Sequence, residues 1–507
     1  MSHATIDAVG KGERKTITID PITRLEGHGR ISVFLDDAGE VERAYFQVPE
    51  LRGFEKFVQG RPAEEMPQIT SRICGVCPMA HHMAATKALD AVFHVDPPRA
   101  AHLIRELAYA IFFIEDHLLH FFFLGGPDLI VGPDAPASDR NVLGVTQVLG
   151  VDAAKKVISM RQRLRDLNTE IAGKAIHPVF GLPGGVSKPV NAETIGTAKE
   201  LAAEAQEFTL SVLDIFENKI FPAYADTIKA DGYTHATYYM GLVDRENRPN
   251  FYDGEARIIG PDGREWRRFT GIDYMKVIAE HVEPWSYVKF CYLKPLGWKG
   301  FQEGPNSGVY SVAPLARLNV AEKMATPLAQ TALERFRSTL GGYPVHHTLA
   351  NHWARLIETV YASERMAELA SDPEIADSRV RSIPRERPTE GVGIVEAPRG
   401  TLIHHYKTDE RGLITSANLI VATQHNAARI AMSVDKAAKD LIHKGIVTDG
   451  ILNRIEMAFR AYDPCNGCAT HAIGQAVPIF IEVRNQSGNL IGSIQRDANG
   501  AVRRTGF

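Results

Sequence analysis

Two Cys-x-x-Cys pairs near opposite ends of the chain constrain its fold more than any other feature of the sequence. The pairs are Cys74 with Cys77 and Cys465 with Cys468, and the fifth cysteine, Cys291, stands apart from both. Two thiols on one turn can converge on a metal, and soft thiolates select zinc, iron–sulfur clusters, nickel or copper(I) over magnesium or calcium. If the two pairs share one site, both ends of the 507-residue chain must meet there.

The cysteines alone leave a structural zinc site open. Zinc sites of four cysteines usually combine pairs about 15–20 residues apart, whereas 388 positions separate Cys77 from Cys465. A thioredoxin-like redox motif needs only one pair beside a βαβ unit. Each pair is followed by a histidine, His81 or His471, and this repetition favours a dedicated metal centre.

The composition is that of a globular protein. Hydrophobic residues make up 44% and charged residues 23% of the chain, which excludes disordered, collagen-like and coiled-coil proteins. The 57 basic and 61 acidic side chains give a net charge of −4, so we expect no nucleic-acid partner. Five cysteines are too few for a disulfide scaffold, and we interpret Cys291 as a small buried hydrophobic residue.

No segment of the chain predicts export or a membrane span. Residues 1–16 are polar and lack the apolar region of a secretion signal. The most apolar run, Leu107–Leu124, contains two acids and two histidines and predicts a buried helix. We expect a cytoplasmic location, although a subunit can also be exported with a signal-bearing partner.

Hydrophobic periodicity predicts one α+β unit with a large helical core and peripheral β-sheets, in which both chain ends return to one place. The strands are expected at 16–20, 30–34, 402–406 and 419–422. The helices are expected from Pro78 and at 103–122, 192–231, 319–371, 424–444 and 453–461. The loops are expected at 125–141, 177–191, 247–263 and 294–308.

Further motifs accompany the cysteines. Residues 20–28 read DPITRLEGH, residues 51–55 read LRGFE and residues 396–402 read EAPRGTL. Together with the two cysteine motifs they resemble the catalytic large subunit of the nickel–iron hydrogenases, from about Thr16 to the C-terminus. The resemblance implies the [NiFe]-hydrogenase large-subunit fold over residues 1–471, and reversible heterolytic cleavage of H₂ to protons and electrons.

The resemblance implies that the four thiolates bind nickel. Cys74 and Cys465 would be terminal ligands, while Cys77 and Cys468 would bridge nickel to an iron that carries one CO and two cyanides. Cys465 would also accept the proton from H₂.

Glu26 occupies the position of the family's proton exit beside the terminal thiolate. A carboxyl group suits this task because partial burial raises its pKa toward neutrality. Considered without the family, Glu26 is better explained as the ion-pair partner of Arg24 or Arg30.

Asp116 stands out even without the family, because it lies within an apolar run where an unpaired charge would cost several kcal/mol. We expect Arg399 as its partner; the alternative is a solvated helix face beside Glu115. The resemblance places Arg399, Asp116 and Asp463 over the metal pair, where Arg399 would hold the diatomic ligands or act as a base.

The wall around the iron is expected to include Pro398, Ala422 and Thr423, with the Thr423 hydroxyl donating to a cyanide. Many family members have Pro-Ser where this chain has Ala422-Thr423, so the sequence keeps a hydroxyl but departs from the pattern. His81 would form a hydrogen bond near a bridging thiolate; a histidine beside another histidine on a helix is otherwise more often structural.

The resemblance also implies a Mg²⁺ site formed by Glu55, the backbone carbonyl of Leu419 and His471. A carboxylate and a carbonyl suit a hard cation, and histidine is the less usual ligand. Considered alone, Glu55 is an exposed carboxylate at a helix start.

The resemblance also implies processing of the C-terminus. In the family a maturation protease cuts after the final histidine once nickel is bound. We therefore expect residues 472–507 to be removed, so that the mature protein ends at His471.

An iron–sulfur small subunit is required, because four of the five cysteines are committed to one site and the electrons must leave. Residues 399–406 and 493–497 resemble the cytoplasmic groups, whose further subunits are heterodisulfide reductase-like or a diaphorase, and we favour the former. The alternatives are a hydrogen-sensing subunit with slow turnover, a quinone-linked relative lacking the cysteines, and a zinc-stabilised scaffold.

Overall fold

The structure is a computed structural model that describes residues 4–7, 16–470, 479–484, 490–496 and 502–505. Its α-helices are α1 Phe54–Phe57, α2 Met66–Thr70, α3 Pro78–Val92, α4 Arg99–Leu119, α5 Pro127–Ile130, α6 Val142–Leu149, α7 Val151–Ala172, α8 Ala192–Ile215, α9 Phe221–Lys229, α10 Tyr274–Val277, α11 Pro314–Val320, α12 Pro327–Thr339, α13 Asn351–Ser371, α14 Ala422–Leu441, α15 Asp449–Arg460 and α16 Asn466–Ala469. Its strands are β1 Ala4–Asp7, β2 Thr16–Ile19, β3 Arg30–Leu35, β4 Val41–Gln47, β5 Gly181–Leu182, β6 Gly185–Val186, β7 Tyr238–Val243, β8 Glu255–Ile259, β9 Glu265–Phe269, β10 Ile278–His281, β11 Phe290–Leu293, β12 Tyr310–Ser311, β13 Glu390–Ala397, β14 Gly400–Thr408, β15 Ile414–Ile420, β16 Ile479–Arg484, β17 Leu490–Arg496 and β18 Val502–Thr505.

Long helices form the centre of the molecule. Helix α13 packs against α8 and α4, and α4 packs against α7. Most residues of α13 are buried, including Arg355 and Glu358, so this helix carries charges into the core and must pair them there. The predicted α+β fold with a large helical core is confirmed.

Helix α4 and the π-helical turn that follows it are apolar enough to be mistaken for a membrane span. By length and composition, residues Arg99–Leu124 could cross a membrane, but 78% of their most apolar window is buried inside the protein. They also carry the buried polar side chains of Asp116 and His117. The segment is therefore a core helix of this fold.

The sheets are small and mostly antiparallel. β1–β4 form one sheet in chain order, β13–β15 a second and β16–β18 a third, while β10 pairs with β11 and β5 with β6. In the remaining sheet β12 runs parallel to β7, and β8 and β9 continue it antiparallel.

The sheet β13–β15 lies directly on α3, the helix that follows the first cysteine pair. Glycines allow this close approach: a Cβ atom at Gly393 would lie 2.5 Å from the backbone nitrogen of Ala88. A side chain there would push the sheet and the helix apart.

Several elements differ from those expected. The helix expected at 319–371 is broken into α12 and α13, because Gly341, Gly342 and Pro344 interrupt it. The loop expected at 247–263 contains strand β8, and the strand expected at 419–422 ends at Ile420, where α14 follows two residues early. Strands β7, β9, β10 and β11 were not expected, and neither were the short elements α5, β5 and β6 within predicted loops.

Candidate metal centre

The two Cys-x-x-Cys pairs converge on one buried point. The Sγ atom of Cys74 lies 3.4 Å from that of Cys465, and Sγ of Cys77 lies 3.6 Å from that of Cys468. All four sulfur atoms lie within 4.8 Å of one another. The predicted meeting of the two chain ends is confirmed, and the arrangement offers four soft ligands to one metal site.

Local structure orients the first pair. The backbone N–H groups of Val76 and Cys77 each donate to Sγ of Cys74 at 3.2 Å. Cys77 is the N-cap of α3, and Pro78 occupies the first turn, where it fixes φ and has no N–H to leave unpaired. The sequence thus turns both thiols to the same side immediately before a rigid helix.

The second pair is held by the N-terminal segment. The backbone of Glu26 pairs with the cysteine loop: its N–H donates to the Pro464 carbonyl at 3.3 Å, and its carbonyl accepts from Asn466 at 2.9 Å. Gly467 is required here, because a Cβ atom would lie 2.8 Å from the Glu26 carboxyl and 2.9 Å from the Arg52 guanidinium.

The Glu26 carboxyl lies against the second pair. Its Oε2 atom accepts from Sγ of Cys465 and from the Gly467 N–H, each at 3.0 Å. The alternative ion pairs are not formed, because Arg24 bonds to Asp128 and Arg30 to Gln47. Burial raises the pKa of Glu26 above its ordinary value, and the negative charge of Cys74 adds to the effect.

The four thiols together fit a metal cation. Burial raises the pKa of Cys465 and of Cys468 well above the ordinary value, whereas hydrogen bonds from Cys465 and its neighbours lower that of Cys74. Without a cation the site cannot hold four thiolates, and a bound metal would deprotonate them outright. The donor set therefore suits a thiolate-bound nickel and iron.

The ion pair expected between Asp116 and Arg399 is present. The Arg399 Nη1 atom lies 3.4 Å from Oδ2 of Asp116, and Nη2 lies 3.0 Å from Oδ2 of Asp463. All three are buried. Although burial alone lowers the pKa of Arg399, the two carboxylates hold it well above its ordinary value, and burial raises the pKa of Asp116 to about 7. Oδ1 of Asp116 has no hydrogen-bond partner among the described residues.

The turn that presents Arg399 depends on Arg317, which sequence reasoning missed. Arg317 donates to the carbonyls of Ala397 at 2.8 Å and Pro398 at 3.0 Å. Its own charge is balanced by Glu358 at 2.6 Å and Glu396 at 3.0 Å. No motif marks Arg317, because these partners lie 41 or more positions away in the sequence.

A small cavity beside the sulfurs is lined by most of the residues that were expected around the iron. Its lining consists of Cys77, Ala80, His81, Ala397, Arg399, Leu402, Val421, Ala422, Thr423, Cys465 and Cys468. Pro398 is not among these residues; it stands in the turn between β13 and β14, and its neighbour Ala397 faces the cavity instead.

The N-terminus of α14 opens onto this cavity. Ala422 is the first residue of the 20-residue helix, and the Thr423 hydroxyl oxygen accepts from the Cys465 N–H at 2.9 Å. That bond leaves the hydroxyl hydrogen available for donation. A helix N-terminus carries partial positive charge, so this wall suits anionic diatomic ligands.

His81 reaches the cavity from α3. Its Nε2 atom lies 3.4 Å from Sγ of Cys468. Burial lowers the pKa of His81 to about 4, so the ring is neutral.

Glu55 and Leu419 also come together. The Leu419 N–H donates to Oε1 of Glu55 at 2.7 Å, and burial raises the pKa of Glu55 to about 7. His471 lies outside the described residues, but the carbonyl of the preceding Thr470 accepts from the Arg52 N–H at 2.6 Å. The end of the second cysteine motif is therefore bonded to Arg52, three residues before Glu55, whose partly buried carboxyl suits a cation.

Comparisons with known proteins match most of the chain. The family model described as nickel-dependent hydrogenase matches residues 52–142 and 289–471, and a second model, described as HoxL-like, matches residues 16–51. An F420-non-reducing hydrogenase iron-sulfur subunit from Archaeoglobus profundus is 46% identical, over 95% of this chain and 99% of that protein.

Two further matches concern NAD-reducing enzymes. The NAD-reducing hydrogenase HoxS subunit beta of Cupriavidus necator is 39% identical, over 94% of this chain and 99% of that protein. A solved structure of an NAD⁺-reducing [NiFe]-hydrogenase in the H₂-reduced state superposes with a TM-score of 0.85 at 38% identity, covering 90% of this chain and 99% of that one.

Proposed function

The chain belongs to the nickel-dependent hydrogenase family and is the catalytic large subunit of a [NiFe] hydrogenase, and from this premise we propose how its residues divide the work. Family membership favours nickel over the structural zinc site that the cysteines alone left open. The bound nickel–iron centre would supply the electrophile that polarises H₂ and accepts its electrons. Cys74 and Cys465 would hold nickel, and Cys77 and Cys468 would hold both metals.

The proton leaves through Cys465 and Glu26. The single observation that carries this assignment is the 3.0 Å contact between Sγ of Cys465 and Oε2 of Glu26. A thiol proton passes along this contact to the carboxylate, and Glu26 then releases it toward solvent. The raised pKa of Glu26 suits a group that must hold a proton briefly at neutral pH.

Arg399 supplies a fixed positive charge over the site. Asp116 and Asp463 hold its guanidinium from two sides, so it cannot swing away when the cavity is occupied. Such a preorganised charge stabilises negative charge that develops as H₂ is polarised.

The wall residues hold the diatomic ligands of the iron. Thr423 donates its hydroxyl hydrogen to one cyanide while its oxygen remains bonded to the Cys465 N–H. Ala422 and the first turn of α14 offer backbone N–H groups to anionic ligands, and Arg399 and Ala397 complete this wall. The wall keeps water from the site.

Glu55, the Leu419 carbonyl and His471 bind Mg²⁺. Support comes from the partly buried Glu55 carboxyl beside Leu419 and from the short bond between Arg52 and Thr470. The cation would tie the second cysteine motif to the segment after Arg52.

Electrons leave through other subunits. The similar proteins are themselves subunits of multi-subunit hydrogenases, and we propose that the direct partner is an iron–sulfur small subunit. Sequence identity to the F420-non-reducing relative exceeds that to the NAD-reducing one. This difference favours heterodisulfide reductase-like partner subunits over a diaphorase. We also propose a cytoplasmic location. A maturation protease would process residues 472–507.

The test is the metal content and turnover of the enzyme, purified anaerobically with its partners. Nickel with excess iron, and rapid H₂-dependent reduction of viologen dyes, is the expected result. Zinc alone would overturn the proposal. Nickel and iron with very slow turnover would support the hydrogen-sensor alternative instead.

A further inference from the structure

A chain of three buried side chains extends from the metal centre into strand β14. Nε2 of His81 lies 3.4 Å from Sγ of Cys468, and its Nδ1 lies 3.2 Å from Nε2 of His404. Nδ1 of His404 lies 2.7 Å from the hydroxyl of Tyr406. His81, His404 and Tyr406 are each at most 1% exposed, so water does not compete for these contacts.

The fold holds the three rings in line. His404 and Tyr406 are two positions apart on β14 and so face the same side of the sheet. That side packs on α3, which carries His81, and the contact is close because Gly391 and Gly393 of β13 have no side chains there. The chain is therefore a product of the sheet's packing, with no long flexible side chain in it.

The direction of the hydrogen bonds follows from the sulfur end. A metal-bound thiolate has no hydrogen, so Nε2 of His81 must carry one to make a favourable contact with Cys468. A neutral His81 then presents a bare Nδ1, which must accept from Nε2–H of His404. A neutral His404 in turn presents a bare Nδ1, which must accept from the Tyr406 hydroxyl.

We propose that His404 and Tyr406 are positioning residues that fix the tautomer and orientation of His81, so that His81 donates a hydrogen bond to the Cys468 thiolate. This inference rests on the proposed role of Cys468 as a bridging ligand. Hydrogen bonds to a ligating sulfur withdraw electron density from it and tune the potential of the metal. Tyr406 thus influences the electronic state of the centre, although His404 and His81 stand between it and the ligand Cys468.

The test is infrared spectroscopy of the C–O stretching band in the complete enzyme carrying Tyr406→Phe or His404→Gln. Tyr406→Phe removes one oxygen and keeps the ring, so the fold and metal content should be retained. Without the terminal donor, Nδ1 of His404 loses its partner, His404 and His81 are held less firmly in line, and the N–H···S bond weakens. More charge then stays on sulfur, so the C–O band should move to lower frequency and the midpoint potential of the centre should become more negative.

His405→Gln is the matched control. His405 neighbours His404 on β14 but bonds to Tyr274 at 2.8 Å and Glu390 at 2.7 Å on the other side of the strand. The C–O stretching frequency of the His405→Gln enzyme should equal that of the wild type. An unshifted band in both test variants, or an equal shift in the control, would overturn the proposal. If His404→Gln loses metal, Tyr406→Phe decides alone.

Failure of the positioning role can be told from failure of the proposed function. A wild-type enzyme without nickel and without C–O and C–N bands would refute the function itself. A wild-type enzyme with these bands, whose two variants keep the same frequencies and potentials, would refute only the roles of His404 and Tyr406.

Discussion

The Sγ atom of Cys465 lies 3.0 Å from Oε2 of Glu26, although 439 positions separate the two residues. The contact forms because the backbone of Glu26 pairs with the segment from Pro464 to Asn466 on either side of the cysteine. The same backbone pairing that places Cys465, a proposed metal ligand, therefore places Glu26, its proposed proton acceptor.

Glu26→Gln should block proton release while leaving the metals bound. A glutamine keeps the shape of the side chain but cannot take a proton from Cys465, so H/D exchange between gas and water should fall about 100-fold or more. The exchange rate and the nickel content are measured on the same anaerobic sample. Glu64→Gln, which changes an exposed carboxylate, is the control. Exchange at the wild-type rate in Glu26→Gln would remove Glu26 from the proton route.

Cys465→Ser should abolish nickel binding. A serine hydroxyl is a harder and far less acidic ligand than a thiol, so the site would lose one of four soft donors. Nickel is quantified by elemental analysis of the purified subunit. Cys291→Ala changes the one cysteine that lies outside the cluster and is buried, and it should retain nickel. A full nickel content in Cys465→Ser would contradict the ligand assignment.

Asp116→Asn should slow H₂ oxidation by about 100-fold, the cost of misplacing a preorganised group. The substitution removes one of the two carboxylates that hold Arg399, so its guanidinium turns toward Asp463. Glu115→Gln is the matched control, because Glu115 is the neighbouring acid but pairs with Arg161 at 2.8 Å outside the site. Equal losses in the two variants would show that the Arg399 pair has no special role.

The fold class, the long helices and the meeting of the four cysteines were predictable from sequence, whereas several short strands were not. Cys74, Cys77, Cys465 and Cys468 stand in short motifs whose residue types are dictated by metal chemistry. Their meeting follows from that chemistry, whatever the elements between them. Glu26 and Arg399, which also stand in short motifs, lie beside the sulfur cluster, and their roles stay predictions.

The misses share a physical cause. Arg317 and His404 act through partners that only tertiary packing brings near, so no local pattern marks them. Strands β7, β8 and β11 are short and mostly buried, and such apolar runs do not show the alternation of a half-exposed strand. The prediction of one continuous helix at 319–371 was wrong, because Gly341, Gly342 and Pro344 outweigh the helical composition around them.

The mature protein should end at His471. The nickel-dependent hydrogenase model matches this chain up to residue 471, and Thr470 is already bonded to Arg52. Cleavage there would leave every proposed ligand in place. Peptide mapping of active enzyme should find His471 as the C-terminal residue, whereas an intact mass that includes Phe507 in active enzyme would contradict the proposal.

The pH dependence of stability should reveal the cation at Glu55. Burial raises the pKa of this carboxyl from 4.5 to about 7, so between these pH values the folded state binds more protons than the unfolded state. Folding stability of the chelator-treated enzyme should therefore fall as pH rises from about 5 to 7, by roughly 3 kcal/mol in total from this group. Above pH 7 its contribution should be constant.

Mg²⁺ should reverse that trend, because it binds the ionised carboxylate and its affinity grows as Glu55 loses its proton. The apparent thermal midpoint is measured from pH 5 to 8 with chelator and with excess Mg²⁺, for the wild type and Glu55→Gln. Other buried acids, such as Asp116, titrate in the same window, so only the difference between the two proteins isolates Glu55. Identical pH profiles and identical responses to Mg²⁺ in the two proteins would exclude a cation at this position.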